Sequence, residues 1–414
     1  MRHGLYLVIC CFLLLPLQLS GQTEIPVRPS ATDIRIEAHD DFHFAFINEN
    51  VSKKGLLFVF FPGTGALPQH YREIGKAAAN LGYHSIGLTY PNALAAKTAC
   101  GGLPDTLCHE YMRKEIITGE DLSDKVHVDR VNCIENRLEK LLLYLTENYP
   151  DAGWEHFLVP GDAVNWSRVV TSGHSQGAGH AGMISKMYPI ARCVMFAGMD
   201  ITLGKPAAWI SRPGATPPEK LYGFTHLRDP FFWGTGQLQL QVWQAYGMDT
   251  FGDVVNVDNM QSPYDGSHML VTNERPENDT TNFHGAVVAS YYTPMSLDGV
   301  PLFLPVWEYM LGTETVSSFG AGAEPVPVRA ELFTNYPNPF TITTTLTFNL
   351  PEPAFVTLDI YNAVGQHVAT ITHKEYHHSR YSVQFDATNL NAGIYFARLT
   401  TGTAVHTQKL ILHR

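Results

Sequence analysis

The chain has 414 residues, 45% of them apolar and 16% charged, and a formal net charge of −11. That length exceeds one ordinary hydrophobic core, so two domains are expected. The apolar share excludes a disordered chain, and the acidic balance gives no electrostatic reason to bind nucleic acid or anionic membranes.

Arg2 and His3 precede an almost wholly apolar run from Leu5 to Leu19. Residues 1–21 read as a secretory signal peptide, because the run is short for a membrane span. No membrane insertion is expected after its removal. Cys10 and Cys11 lie inside the run rather than behind a small-residue cleavage site, which argues against a lipoprotein anchor. Four cysteines follow, Cys100, Cys108, Cys133 and Cys193, and three full pairings are possible. Cys100 and Cys108 bracket a Gly-Gly-Leu-Pro loop and are expected to pair in an oxidising compartment. Cys133 and Cys193 equally fit buried free thiols.

Residues 32–38 and 42–48 alternate apolar and polar side chains across Asp40-Asp41, which predicts a β-hairpin. Residues 55–61 form a continuous apolar run of the kind found in strands buried on both faces, ending in Pro62-Gly63-Thr64-Gly65. A helix from about 69 to 80 and a strand over 84–90 complete a βαβ unit. Residues 91–125 read as an irregular insertion at the rim of the sheet. Val131, Ile134, Leu138, Leu141, Leu142 and Leu145 then share one helical face. Strands are expected over 168–173, 193–198, 221–226 and 269–272. Strands alternating with helices imply a mostly parallel sheet, with functional loops at its carboxyl ends.

The strand at 168–173 runs into Gly173-His174-Ser175-Gln176-Gly177, and a small-residue helical segment follows. Strand, sharp turn and helix are the context that Gly-x-Ser-x-Gly needs, since the turn lifts the serine hydroxyl above the sheet. Together with the Gly63-Thr64-Gly65 strand end and a later Asp and His, this resembles the α/β-hydrolase superfamily over residues 30–312. The resemblance implies a serine nucleophile, Ser175, followed in the chain by an acid and a histidine. His284 is the base chosen on position, in a polar loop after the last strand and before a helix-like apolar segment. His268 sits at the wrong end of its strand, His226 precedes the acid, and His174 points away from the serine. Asp229, directly after the 221–226 strand, is the acid, with Asp200 as its rival. The oxyanion donors are the Gln176 amide and an amide of the 62–65 turn, Thr64 first, with Gly65 or Gly63 as alternatives. The Thr64 hydroxyl is a possible third donor. Phe231, Phe232 and Trp233 form the candidate acyl-binding wall.

No zinc motif and no phosphate loop occurs, and Asp253, Asp258 and Asp265 match no calcium-loop template. No cofactor or metal is expected. Residues 313–330, rich in Thr, Ser, Gly, Ala and Pro, are a linker. Beyond it, short strands at 343–349, 355–361, 367–372, 381–385, 393–399 and 409–412 with no helix between them predict a small all-β sandwich over 331–414. Its Asn335-Tyr336-Pro337-Asn338-Pro339-Phe340, Ile360-Tyr361-Asn362 with Gly365, and Ala392-Gly393-Ile394-Tyr395 resemble the C-terminal sorting domain of the type IX secretion system, type A or Por-like. That resemblance implies the secretion machinery as partner and export from a Gram-negative cell to its surface or surroundings.

The expected whole is an α/β-hydrolase domain (22–312) plus the sandwich: a secreted serine hydrolase acting on a small, lipid or polymeric carboxylic ester through an acyl-enzyme. A peptidase of the same fold and a catalytically inactive binding protein are the alternatives.

Overall fold

The computed structural model describes residues 21–198, 200–230, 238–279, 281–312 and most of 331–413. Residues 1–20 of the expected signal and the linker at 313–330 lie outside the described residues. The chain divides into two compact units, Met1–Phe319 and Gly320–Arg414.

The first unit is a mixed α/β structure. Its large sheet holds β1 (Gln22–Val27), β2 (His43–Asn48), β3 (Leu57–Phe61), β4 (His84–Gly87), β5 (Val169–His174), β6 (Arg192–Phe196), β9 (Leu221–His226), β10 (Val255–Asn256) and β11 (Met269–Thr272). The order across the sheet is β1-β2-β4-β3-β5-β6-β9-β11-β10. β1 and β2 are antiparallel to their neighbours, and every pair from β4 to β10 is parallel. A separate two-stranded hairpin, β7 (Ile201–Thr202) and β8 (Lys205–Pro206), follows β6.

The helices in chain order are α1 (Pro29–Thr32), α2 (Arg72–Asn80), α3 (Ala96–Cys100), α4 (Cys108–Thr118), α5 (Ile134–Asn148), α6 (Gln176–Met187), α7 (Leu238–Ala245) and α8 (Leu304–Leu311). Successive side chains of a strand face opposite ways, so β3 feeds two cores at once. Leu57, Val59 and Phe61 pack with residues of α4, α5, α6 and α7. Phe58 and Phe60 pack with α2 and α8 on the other face. The last carbonyls of α8, which lack intrahelical donors, are met by Tyr83 Oη on Leu311 (2.5 Å), Arg192 Nη1 on Met310 (3.3 Å) and Lys54 Nζ on Gly312 (3.1 Å).

Three local expectations are corrected. The partner of β2 is β1, not residues 32–38, where Ile34 is 89% exposed and only Ile36 is buried. An edge strand tolerates Pro26, which disguised β1 in the sequence. The segment 91–125 is not irregular, because it contains α3 and α4. The stretch after His284 is a series of turns rather than a helix.

The second unit consists of a three-stranded sheet, β12 (Glu331–Leu332), β13 (Thr343–Leu350) and β16 (Ser379–Asp386), and a four-stranded sheet. The latter holds β14 (Ala354–Asn362), β15 (His367–Tyr376), β17 (Gly393–Thr401) and β18 (Ala404–Leu412) in the order β15-β14-β17-β18. Leu346, Phe348, Leu358, Ile360, Leu399 and Leu410 are fully buried between them. Asn338 joins the motif segment to β18, its Nδ2 donating to Lys409 O (3.0 Å) and its Oδ1 accepting from the Ile411 N–H (2.9 Å).

Candidate active site

Ser175 sits between the end of β5 and the start of α6 with φ 55° and ψ −117°. A non-glycine residue there costs on the order of 1–3 kcal/mol and persists only where its surroundings hold it. They do: its N–H donates to Phe196 O (2.9 Å), and its carbonyl accepts from Ala178 N (3.1 Å) and Gly179 N (3.3 Å). The flanking glycines are sterically required. A Cβ on Gly177 would lie 1.9 Å from Phe61 O, and one on Gly173 would lie 2.4 Å from the Gly177 carbonyl carbon.

His284 comes from the loop after β11, and its Nδ1 lies 2.6 Å from Asp229 Oδ2. An ionised carboxylate only accepts, so Nδ1 carries the proton and Nε2 keeps the basic lone pair. Asp229 is buried in the turn after β9, where its N–H donates to His226 O (3.0 Å). His226 braces that turn. Its Nε2–H donates to Glu274 O (2.7 Å), and its Nδ1 accepts from the Arg228 N–H (2.9 Å). His268 is stacked between Tyr222 and Phe251 at the opposite end of β11, and burial pushes its pKa down to about 4.

Asp200 is committed elsewhere. Both its oxygens accept from Arg113, at 2.5 Å each, and Trp209 Nε1 donates to it at 3.1 Å. Burial alone would raise this carboxyl, but the guanidinium beside it holds it below the ordinary range. Arg113 Nη1 also donates to Gln176 O (2.9 Å), so the buried pair props the first residue of α6.

The turn at 62–66 is equally constrained. Tyr90 Oη donates to Pro62 O (2.7 Å), and Asn92 Nδ2 donates to Gly63 O and Ala66 O (2.8 Å each). The Gly65 N–H is taken by Asn92 O (3.1 Å) and the Gly63 N–H by Tyr71 Oη (3.4 Å). Among the described residues the Thr64 N–H has no acceptor, and Gln176 opens α6, where no intrahelical acceptor exists. Gly65 therefore gives way to Thr64 as the turn's available donor. The Thr64 hydroxyl donates to Gln176 Oε1 (2.9 Å), which also accepts from Ala96 N (3.0 Å), so it is not a spare donor.

A cavity of about 850 Å³ is lined by Ser175, His284, Thr64 and Gln176, with α3 and the β7–β8 hairpin contributing to its wall. Leu203 N donates to Gly101 O (3.0 Å), joining those two wall segments, and the Cys100–Cys108 disulfide fastens α3 to α4. Cys133 and Cys193 are free and buried. Phe231, Phe232 and Trp233 lie outside the described residues. Of the three loop aspartates, Asp258 caps the end of β11, accepting from Thr272 Oγ1 (2.5 Å) and Asn273 N (2.6 Å).

Sequence reasoning missed Tyr71, Asn92 and Arg113. None forms part of a recognisable spacing, and Arg113 lies in the segment that showed no helical period.

Residues 334–413 match the family described as secretion system C-terminal sorting domain. The C-terminal unit is a type IX secretion sorting domain. It indicates export to the cell surface or beyond, with the secretion machinery as partner. Among the described residues no helix is long and apolar enough to cross a membrane. No curated protein matches the chain. Among solved structures, the dimeric latent PorU of Porphyromonas gingivalis is similar at 14% identity and a TM-score of 0.18, over 20% of this chain and 9% of that one. The chain thus spans under a tenth of that protein, and the likeness carries no argument.

Proposed function

We propose that the first unit is an α/β-hydrolase acting as a secreted serine hydrolase on carboxylic esters. One observation carries the reading: a strained Ser175 shares a cavity with a histidine whose Nδ1 is held by a buried aspartate. A serine hydroxyl becomes a useful nucleophile only when a base takes its proton. His284 Nε2 takes that proton as Ser175 Oγ attacks the ester carbonyl, and Asp229 steadies the resulting imidazolium. The Thr64 and Gln176 amides stabilise the developing oxyanion. Loss of one such donor typically lowers kcat by roughly a hundredfold or more. His284 then protonates the departing alcohol, and water activated by the same nitrogen releases the acid from Ser175. The parallel sheet with its strand–elbow–helix supports the superfamily assignment.

The test is labelling of purified protein by a fluorophosphonate, with turnover measured on esters of graded acyl length beside peptides. Labelling that vanishes in Ser175→Ala, together with ester turnover, is expected. Labelling that survives this change refutes the nucleophile, and turnover of peptides alone refutes the ester class.

A further inference from the structure

In the wall of the cavity that holds Ser175 runs a chain of hydrogen bonds that the proposed chemistry does not use. His174 Nε2 lies 2.9 Å from His284 O, and His174 Nδ1 lies 3.0 Å from Tyr71 Oη. Tyr71 Oη also receives the Gly63 N–H at 3.4 Å. Every direction in this series is fixed. A carbonyl only accepts, so His174 Nε2 carries a proton. His174 is buried, and burial, with the nearby His284, pushes its pKa down to about 3. Its ring is therefore neutral at working pH, Nδ1 is an acceptor, and the Tyr71 hydroxyl must donate to it. That leaves the hydroxyl oxygen to accept from Gly63.

We infer that Tyr71 and His174 are positioning residues that bind the oxyanion turn, the elbow and the loop of the base into one hydrogen-bonded unit. This deepens the hydrolase reading and rests on it. Gly63 adjoins the donor Thr64, His174 adjoins Ser175, and His284 is held through its own carbonyl. The three segments lie more than a hundred residues apart, pairwise 63 to 174 and 174 to 284. Close packing supports the bonds: the His174 ring lies 4.6 Å from the His284 ring and 5.6 Å from that of Tyr71. Other ties keep the base loop folded without this series. Ser290 N donates to His70 O (2.9 Å), Glu73 N donates to Ser290 Oγ (3.2 Å), and Trp307 Nε1 donates to Val287 O (3.1 Å). Removing the inner bonds should therefore loosen placement rather than unfold the protein.

The test uses the full chain carrying Tyr71→Phe, which removes the hydroxyl and keeps the ring packed on Phe60, and separately His174→Ala and His174→Gln. Hydrogen exchange followed by mass spectrometry reads residues 62–66 and 282–289 independently of any activity. In Tyr71→Phe both segments should exchange about tenfold faster, together. In kinetics, kcat should fall about 10–100-fold with KM nearly unchanged, because misplacement of the base affects the transition state more than binding. His174→Gln, which keeps a donor and an acceptor, should recover part of what His174→Ala loses. Acceleration confined to one segment, or to neither, in a folded variant overturns the inference, as does a wild-type kcat. If wild-type protein is not labelled at Ser175 the hydrolase reading fails, while the exchange result still decides whether the segments are coupled. If Tyr71→Phe does not fold, exchange and kcat in His174→Gln and His174→Ala decide the question by the same criteria.

Discussion

The two buried aspartates near the site should respond in opposite ways to the same isosteric change. Asp200→Asn removes the negative charge from a guanidinium that is 1% exposed and hydrogen-bonded to both carboxylate oxygens. An uncompensated buried charge costs about 3–5 kcal/mol, which for a unit of this size lowers Tm by about 5–8 °C. The chemistry is expected to survive, with kcat falling by no more than about tenfold, since Arg113 and Asp200 are wall residues of the cavity rather than members of the proposed triad, and Arg113 reaches Gln176 at its carbonyl. Asp229→Asn should do the reverse. It weakens the Asp229–His284 bond and so releases the tautomer that leaves Nε2 as the base in the proposed mechanism, and kcat should fall about 10⁴-fold. Urea unfolding and ester turnover on the same two preparations read both axes. A folded Asp200→Asn enzyme slowed by thousands, beside an active Asp229→Asn enzyme, would refute the assignment of the acid. Unchanged stability in Asp200→Asn would refute the structural role of the Arg113 pair.

Three further outcomes are expected. His174, His84 and His268 are buried, with pKa values lowered by burial to about 3, 4 and 4. The unfolded chain binds their protons below about pH 6.5 and the folded chain does not, so stability should fall with pH from there towards pH 3–4, by about 4 kcal/mol in all between pH 7.5 and 5.5. A urea midpoint constant over that range would contradict this. Replacing Cys100 and Cys108 with serine should cost roughly 2–3 kcal/mol and raise KM more than kcat, because α3 lines the cavity; equal losses in both would point to a catalytic effect instead. A chain ending at Gly312 should hydrolyse soluble esters at close to the full rate yet remain inside the native cell, and its normal secretion would show that the sorting unit is dispensable for export.

The parts legible in the sequence were those whose burial follows a period. β3 and β11 are runs of consecutive buried residues, and the turn at Ser175 is marked by two glycines that admit no Cβ. In the sandwich β14 and β17 alternate cleanly, with Val356, Leu358 and Ile360 buried in the first. α4 was illegible for the opposite reason. Its buried face carries His109, Arg113 and Glu115 among Met112, Ile116 and Ile117, so no apolar stripe forms. Glu115 is there to accept the N–H groups of Leu122, Ser123 and Val128 (2.8–3.0 Å), a partnership formed only in three dimensions. The chain order of Ser175, then an acid, then His284 was what the resemblance implied. Position favoured Asp229 over Asp200, but the pairing that occupies Asp200 was not legible, because it turns on where a distant arginine reaches.

The way β18 closes the sandwich has a bearing on how the protein is made. Leu410 and Leu412 sit in its core, and the segment at 338–340 is fastened to residues 409–413 by Asn338 and by the Phe340 N–H on Ile411 O (3.0 Å) and the His413 N–H on Phe340 O (2.8 Å). Of the described strands, β18 is the last to leave the ribosome. A chain released early can carry every residue of the candidate site and still lack the strand that its sorting unit folds around.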